Sequence, residues 1–164
     1  MSRQRRLIYM SGDEMHHFLQ TSKTGVLTTL GRDGWPHSAA MWFLPVFDEG
    51  KHEVRMWTYA KSQKARNAAR DPRASFLAEE GVAYSELRGI LVRSKLEILT
   101  EFDAVLDIGK KLFERYEGPR TGIPLEGPVL AEIERQASKR VGLVMPLDRV
   151  ASWDHRKMQQ GRTV

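Results

Sequence analysis

The stretch Trp57-Thr58-Tyr59-Ala60-Lys61-Ser62-Gln63-Lys64-Ala65-Arg66-Asn67-Ala68-Ala69-Arg70-Asp71-Pro72 holds the spacing most suited to chemistry in this chain. A β-type run ending in a threonine gives way, within a few residues, to a basic helix start. Ser62 has the chemistry of an N-cap, so the first free backbone N–H groups of the helix would project beside Lys64 and Arg66. Oriented amides and a positive side chain converging on one point suit a phosphate. Arg70 complements the helix C-terminus, and Pro72 disfavours helical geometry at Asp71. A basic helix start alone also describes a solvated surface, and the elements around it decide between the two.

Other chemistries have less support. No phosphate-binding Gly-x-x-x-x-Gly-Lys-Ser/Thr loop, Gly-x-Gly-x-x-Gly fingerprint or Gly-x-Ser-x-Gly elbow is present. The absence of cysteine excludes disulfides, thiol catalysis and cysteine-held iron–sulfur clusters, and it agrees with a cytoplasmic setting. His16 and His17 are adjacent, so on a helix they point about 100° apart and serve one metal poorly. No metal site is expected. His37 reads equally as a ligand contact and as a half-buried strand residue. Lys and Arg number 26 against 21 Asp and Glu, a net +5 that favours anionic partners. The basic residues are dispersed among acidic ones, which argues against nucleic acid, and Arg3, Arg5 and Arg6 read as a solvated terminus. No apolar run is long enough to span a membrane, and MSRQRR lacks the apolar segment of a secretory signal.

The positioning elements follow from local pattern. Ser11 and Glu14 have capping-box spacing, which predicts a helix through Met15, Phe18 and Leu19. Val26–Leu30, the apolar run Pro36–Phe47 and His52–Tyr59 read as three strands of a meander, joined by turns at 31–34 and 48–51. A helix from Ser62 to Arg70, a short strand Arg73–Glu79 and a long strand Arg88–Ile98 come next. In the long strand Ile90, Val92, Leu96 and Ile98 share a face. Phe102, Val105, Leu106, Leu112, Phe113 and Tyr116 recur at helical spacing. Gly118–Pro128 reads as a loop, Val129–Ala137 as a helix, Val141–Leu147 as a closing strand, and Arg149–Val164 as a polar tail carrying Trp153. Without strict β–α alternation, the pattern predicts an α+β chain, mainly β, built on an antiparallel barrel with flanking helices. A single domain over 1–164 is expected, with a barrel core at 10–100, a helical insertion at 101–140, and a closing strand and tail at 141–164.

The order of these motifs resembles the split barrels of the pyridoxamine 5′-phosphate oxidase class. More narrowly, it is similar to the flavin/deazaflavin-dependent oxidoreductases. The likeness rests on Gly25-Val26-Leu27-Thr28-Thr29 through Asp33-Gly34-Trp35-Pro36-His37, on Trp57-Thr58 followed by Ser62-Gln63-Lys64-Ala65-Arg66-Asn67, and on Arg70-Asp71-Pro72-Arg73-Ala74-Ser75 leading into the Arg88–Ile98 strand. The tail Ser152–Met158 also resembles the ends of related chains. The resemblance implies a split-barrel homodimer with cofactor sites at the subunit interface. It implies that the strand His37–Trp42 lies along an isoalloxazine or deazaflavin ring, with His37, Ser38, Ala40, Met41 and Trp42 as contacts. Trp57, Thr58, Ser62, Gln63 and Lys64 would meet the ribityl chain and phosphate, and Asn67 would add a contact from the helix.

Two departures weigh against vitamin B6 oxidation. Where pyridoxamine phosphate oxidases place arginines early in the second strand and beside the phosphate lysine, this chain has Ala39 or its neighbours and Gln63. The C-terminal arginine pair has only Arg156 and Arg162 as counterparts. The expectation is therefore a hydride-transferring oxidoreductase using coenzyme F420, with FMN as the alternative cofactor and a small organic molecule as acceptor. Lys61, Arg66 or Arg93 would receive the coenzyme's acidic tail, and Trp153 or Trp42 would wall the substrate pocket. A non-catalytic cofactor or haem carrier is the other reading, with His37 or His155 as the axial ligand.

Overall fold

The computed structural model describes residues 7–48 and 50–160. Arg3, Arg5, Arg6 and Arg162 therefore lie outside the described residues. Helix α1 (Gly12–Thr21) starts at the expected capping box, with Ser11 Oγ accepting from the Glu14 amide and Glu14 accepting from the Ser11 amide at 2.6 Å. Its buried side is Phe18 and Leu19.

Among the described residues nine strands form two antiparallel sheets, and the apolar run that reads as one strand belongs to both. Strand β1 (Gly25–Leu30) pairs with β2 (Pro36–Met41), whereas β3 (Leu44–Asp48) pairs with β4 (Lys51–Tyr59). The chain turns between the sheets at Trp42–Phe43, so the expected three-stranded meander is two hairpins. Phe43 is fully buried at this corner, and its peptide groups find a partner outside the ladders: the Tyr116 hydroxyl accepts from its N–H at 3.1 Å and donates to its C=O at 3.0 Å. A buried peptide outside the ladders needs such a partner, and Tyr116 supplies it where the run changes sheets.

The Arg88–Ile98 strand divides in the same way, into β6 (Arg88–Lys95) and β7 (Glu97–Leu99), with Leu96 at the crossing. The complete sheets run β2-β1-β5-β6-β9 and β3-β4-β8-β7, where β5 is Arg73–Glu80, β8 Arg140–Pro146 and β9 Arg149–Asp154. The polar tail thus begins with a strand that pairs with β6. Both sheets send their inner residues into one core, with Leu27, Phe43, Met56, Phe76, Ile90 and Leu143 each at 0% exposure.

Helix α2 (Gln63–Arg70) closes one end of the barrel against β1. Between β7 and β8 the chain forms α3 (Phe102–Leu112), a π-helical turn (Phe113–Glu117), α4 (Gly118–Thr121) and α5 (Gly127–Ala137). The stretch expected to be a loop therefore opens with a helical turn. These helices lie on the outer face of the four-stranded sheet, around Trp57. Small residues allow the approach: a Cβ on Gly142 would stand 2.7 Å from Ile108, and one on Gly109 would stand 2.5 Å from Trp57. A short helix α6 (Lys157–Gln160) follows β9, and Lys157 donates to Glu14 and to the Tyr9 carbonyl at 2.6 Å each. No helix among the described residues is long and apolar enough to cross a membrane.

Candidate functional site

The barrel is split at one seam. Strand β2 ends its sheet, so one edge of Pro36–Met41 has no ladder partner. Strand β4 pairs with β3 only as far as Arg55, so Met56–Tyr59 is laddered to β8 alone. The two strands leave the Trp42–Phe43 corner with unused edges, which offer backbone donors and acceptors to a flat ligand. Helix α2 follows at the open end of the seam.

The first turn of α2 carries the anion chemistry. Ser62 Oγ accepts from the Ala65 amide at 3.3 Å and from Thr58 Oγ1 at 3.2 Å. The Gln63 and Lys64 amides have no intrahelical acceptor, and the first turn contains no acidic residue. Half-buried Lys64 has its pKa lowered below the ordinary value, first by desolvation and second by the neighbouring charge of Arg140. Free amides and a poorly hydrated cation make a seat for a phosphate, and these residues suit the phosphate end of a phosphorylated cofactor.

Asn67 fastens this turn to β2. It is fully buried, accepts from Gln63 Nε2 at 2.8 Å and donates to Thr29 Oγ1 at 3.1 Å. Thr29 in turn donates to the His37 carbonyl at 3.5 Å. A single chain of polar groups thus joins the helix start to the strand on the other side of the seam. Asn67 and Thr58 are both buried, so they act by holding neighbours rather than from an open surface.

The strand residues alternate. His37, Ala39 and Met41 are half-buried, and Ser38 and Ala40 are exposed on the outer face, where Ser38 Oγ lies 2.9 Å from Thr28 Oγ1. Trp42 is 47% exposed and stacks flat on Tyr116 with ring centroids 4.6 Å apart. The Trp57 indole instead lies beneath α3 and α5, so only its backbone borders the seam. Trp153, on β9, lies over Gly89 of β6, four strands and about 19 Å from β2. Within one chain the fold does not bring it to the seam. Lys61 and Arg66 flank the anion seat, both exposed. Arg93 lines a cleft of about 580 Å³ with Thr28, Ser75, Lys95 and Arg149, in the same cross-strand row as Ser38. His155 is held by its Nδ1, 2.9 Å from the Tyr84 carbonyl.

Sequence reasoning did not single out Arg140, Thr29 or, in its present role, Tyr116. Each acts through a partner far away in sequence, and no local spacing marks it.

A family model described as pyridoxamine 5′-phosphate oxidase matches residues 11–154. The F420H(2)-dependent biliverdin reductase of Mycobacterium tuberculosis (strain CDC 1551 / Oshkosh) is 32% identical over 137 residues, which cover 84% of this chain and 91% of that protein. Among solved structures, a conserved hypothetical protein from Mycobacterium tuberculosis is 40% identical with a TM-score of 0.84, covering 96% of this chain and 93% of that one. A protein described as F420 reductase is 26% identical with a TM-score of 0.62, covering 83% and 94%.

Proposed function

Since the chain belongs to the pyridoxamine 5′-phosphate oxidase family, we propose that it is an oxidoreductase using the deazaflavin coenzyme F420 to reduce or oxidise a small organic molecule. The observation that carries this reading is the uncompensated cationic seat at Lys64, placed at the open end of a seam whose β2 edge is free. When bound, the coenzyme supplies two-electron hydride chemistry. The protein's own part is binding, orientation and exclusion of water.

In this reading Lys64, the Gln63 and Lys64 amides and Ser62 hold the phosphate. The backbone of His37–Trp42 orients the ring, with Ser38, Ala40 and Met41 as contacts. Thr58 and Asn67 position the seat by fixing Ser62 and the first turn of α2. Trp57 contributes through its backbone.

The outer face of the five-stranded sheet supports a homodimer. Ala40, Val26, Leu77, Leu91 and Ala151 lie opposite one another in register, an apolar row across all five strands. A second copy packed there would cover it and bring Trp153 of one chain toward the seam of the other, and light scattering of the purified protein measures that association directly.

Lys64→Ala tests the seat. Loss of one charge-assisted contact to phosphate should weaken F420 binding by about 10- to 100-fold, or about 1.4–2.8 kcal/mol. Unchanged affinity in a folded variant removes the phosphate from Lys64. A wild-type preference for FMN over F420 would shift the cofactor and leave the seat in place.

A further inference from the structure

The start of β8 holds a second cation, Arg140, directly opposite Tyr59 at the end of β4. The Arg140 guanidinium lies 4.4 Å from the Trp57 ring centroid and 4.2 Å from that of Tyr59. Arg140 Nη2 donates to Gln136 Oε1 at 3.0 Å, while Nε is buried with no hydrogen-bond partner. Two aromatic rings and a neutral amide thus orient this group. Among the described residues it has no carboxylate partner. A stack of this kind fixes a guanidinium in place and leaves its charge unneutralised.

The backbone brings that charge to Lys64. Tyr59 and Arg140 are directly opposed in the β4–β8 ladder. The Ala60 amide donates to the Lys139 carbonyl at 3.0 Å, and the Ser62 amide donates to the Tyr59 carbonyl at 2.9 Å. The turn that launches α2 is therefore fastened to the strand that carries Arg140. Arg140 is also close enough to lower the pKa of Lys64. Two cations held near each other with no acid between them repel, and an anion seated at both relieves that repulsion.

We propose that Arg140 is a second anion ligand of the seat, binding the cofactor phosphate together with Lys64, and that Trp57 and Tyr59 are the stack that aims it. This gives Trp57 a role at the phosphate end without contact between its indole and the cofactor. The proposal rests on the reading of the Lys64 turn as a phosphate seat.

The test compares wild type, Arg140→Gln, Arg140→Lys and Lys64→Ala, each first checked for folding by circular dichroism. Fluorescence titration gives the affinity for F420 and for the deazaflavin riboside that lacks the phosphate. In addition, the melting temperature of each ligand-free protein is followed against added inorganic pyrophosphate. Arg140→Gln should weaken F420 binding about 10- to 30-fold, leave the riboside unchanged, and reduce the stabilisation by pyrophosphate. Arg140→Lys, which keeps the charge and loses the planar stack, should fall between Gln and wild type.

Wild-type F420 affinity in Arg140→Gln, or an equal loss for both ligands, overturns the proposal. If Lys64→Ala alone loses the phosphorylated ligand selectively, Arg140 is excluded and the seat survives. If neither variant does, the seat itself falls and takes the proposal with it.

Discussion

Asn67 offers the sharpest test of how the seam is held together. Its side chain is fully buried, and Thr29, its partner across the barrel end, is 1% exposed. Asn67→Ala removes the acceptor used by Gln63, the donor used by Thr29, and the volume of an amide. Gln63 is exposed and can turn to water, so its lost bond costs little. Thr29 cannot, and its hydroxyl keeps only the long contact to the His37 carbonyl. A lost buried hydrogen bond of about 1–2 kcal/mol and a small cavity of about 1 kcal/mol give a destabilisation of about 2–3 kcal/mol. Thr29→Val should cost about 1–3 kcal/mol, because it leaves the Asn67 amide buried and unpaired. In the double variant both polar groups are gone, so the pair should cost less than the sum by about 1–2 kcal/mol. Urea unfolding of the four proteins measures the cycle, with the slope checked for constancy. Additivity within about 0.5 kcal/mol would refute a polar link between α2 and β1.

Three further outcomes follow from the packing and the charges. Tyr116→Phe should lower stability by about 1–3 kcal/mol, read by the same urea assay, because both peptide groups of Phe43 lose their partner. Gly109→Ala should cost about 1–3 kcal/mol despite the better helix propensity of alanine, since its Cβ would lie 2.5 Å from Trp57 and 3.1 Å from Ile133. Arg156 hydrogen-bonds to Asp154 and holds that carboxyl below its usual pKa. Its contribution is therefore present above about pH 4 and lost as pH falls through the depressed value. Asp154→Asn should be less stable at pH 7 and show a shallower fall in melting temperature below pH 4.

Features set by neighbours three or four residues apart were legible in the sequence. The Ser11 and Ser62 caps form as spaced, and Ile90 and Val92 do share the buried face of β6. The sheet changes at Trp42–Phe43 and Leu96 were not legible, because pairing partners elsewhere in the chain decide where an apolar run ends. Tyr116 reaches Phe43 across 73 positions, and no local pattern could announce it. Trp57 has an apolar, strand-like context that suits either face. The missing side chain of Gly109, on a helix that enters much later, makes the outer face its pocket. The phosphate seat was partly legible, since Ser62 and Lys64 lie in one turn. Arg140 joins it only through the β4–β8 ladder.

Whether the Lys64 seat serves F420 is read directly by a fluorescence titration of the purified protein with oxidised F420, run beside FMN. An F420-dependent enzyme built on the Lys64 seat saturates with F420 at a single coenzyme per chain, binds it tighter than FMN, and binds the phosphate-free riboside far more weakly. Failure of F420 to bind, or equal affinity for the phosphorylated and phosphate-free forms, would contradict this assignment.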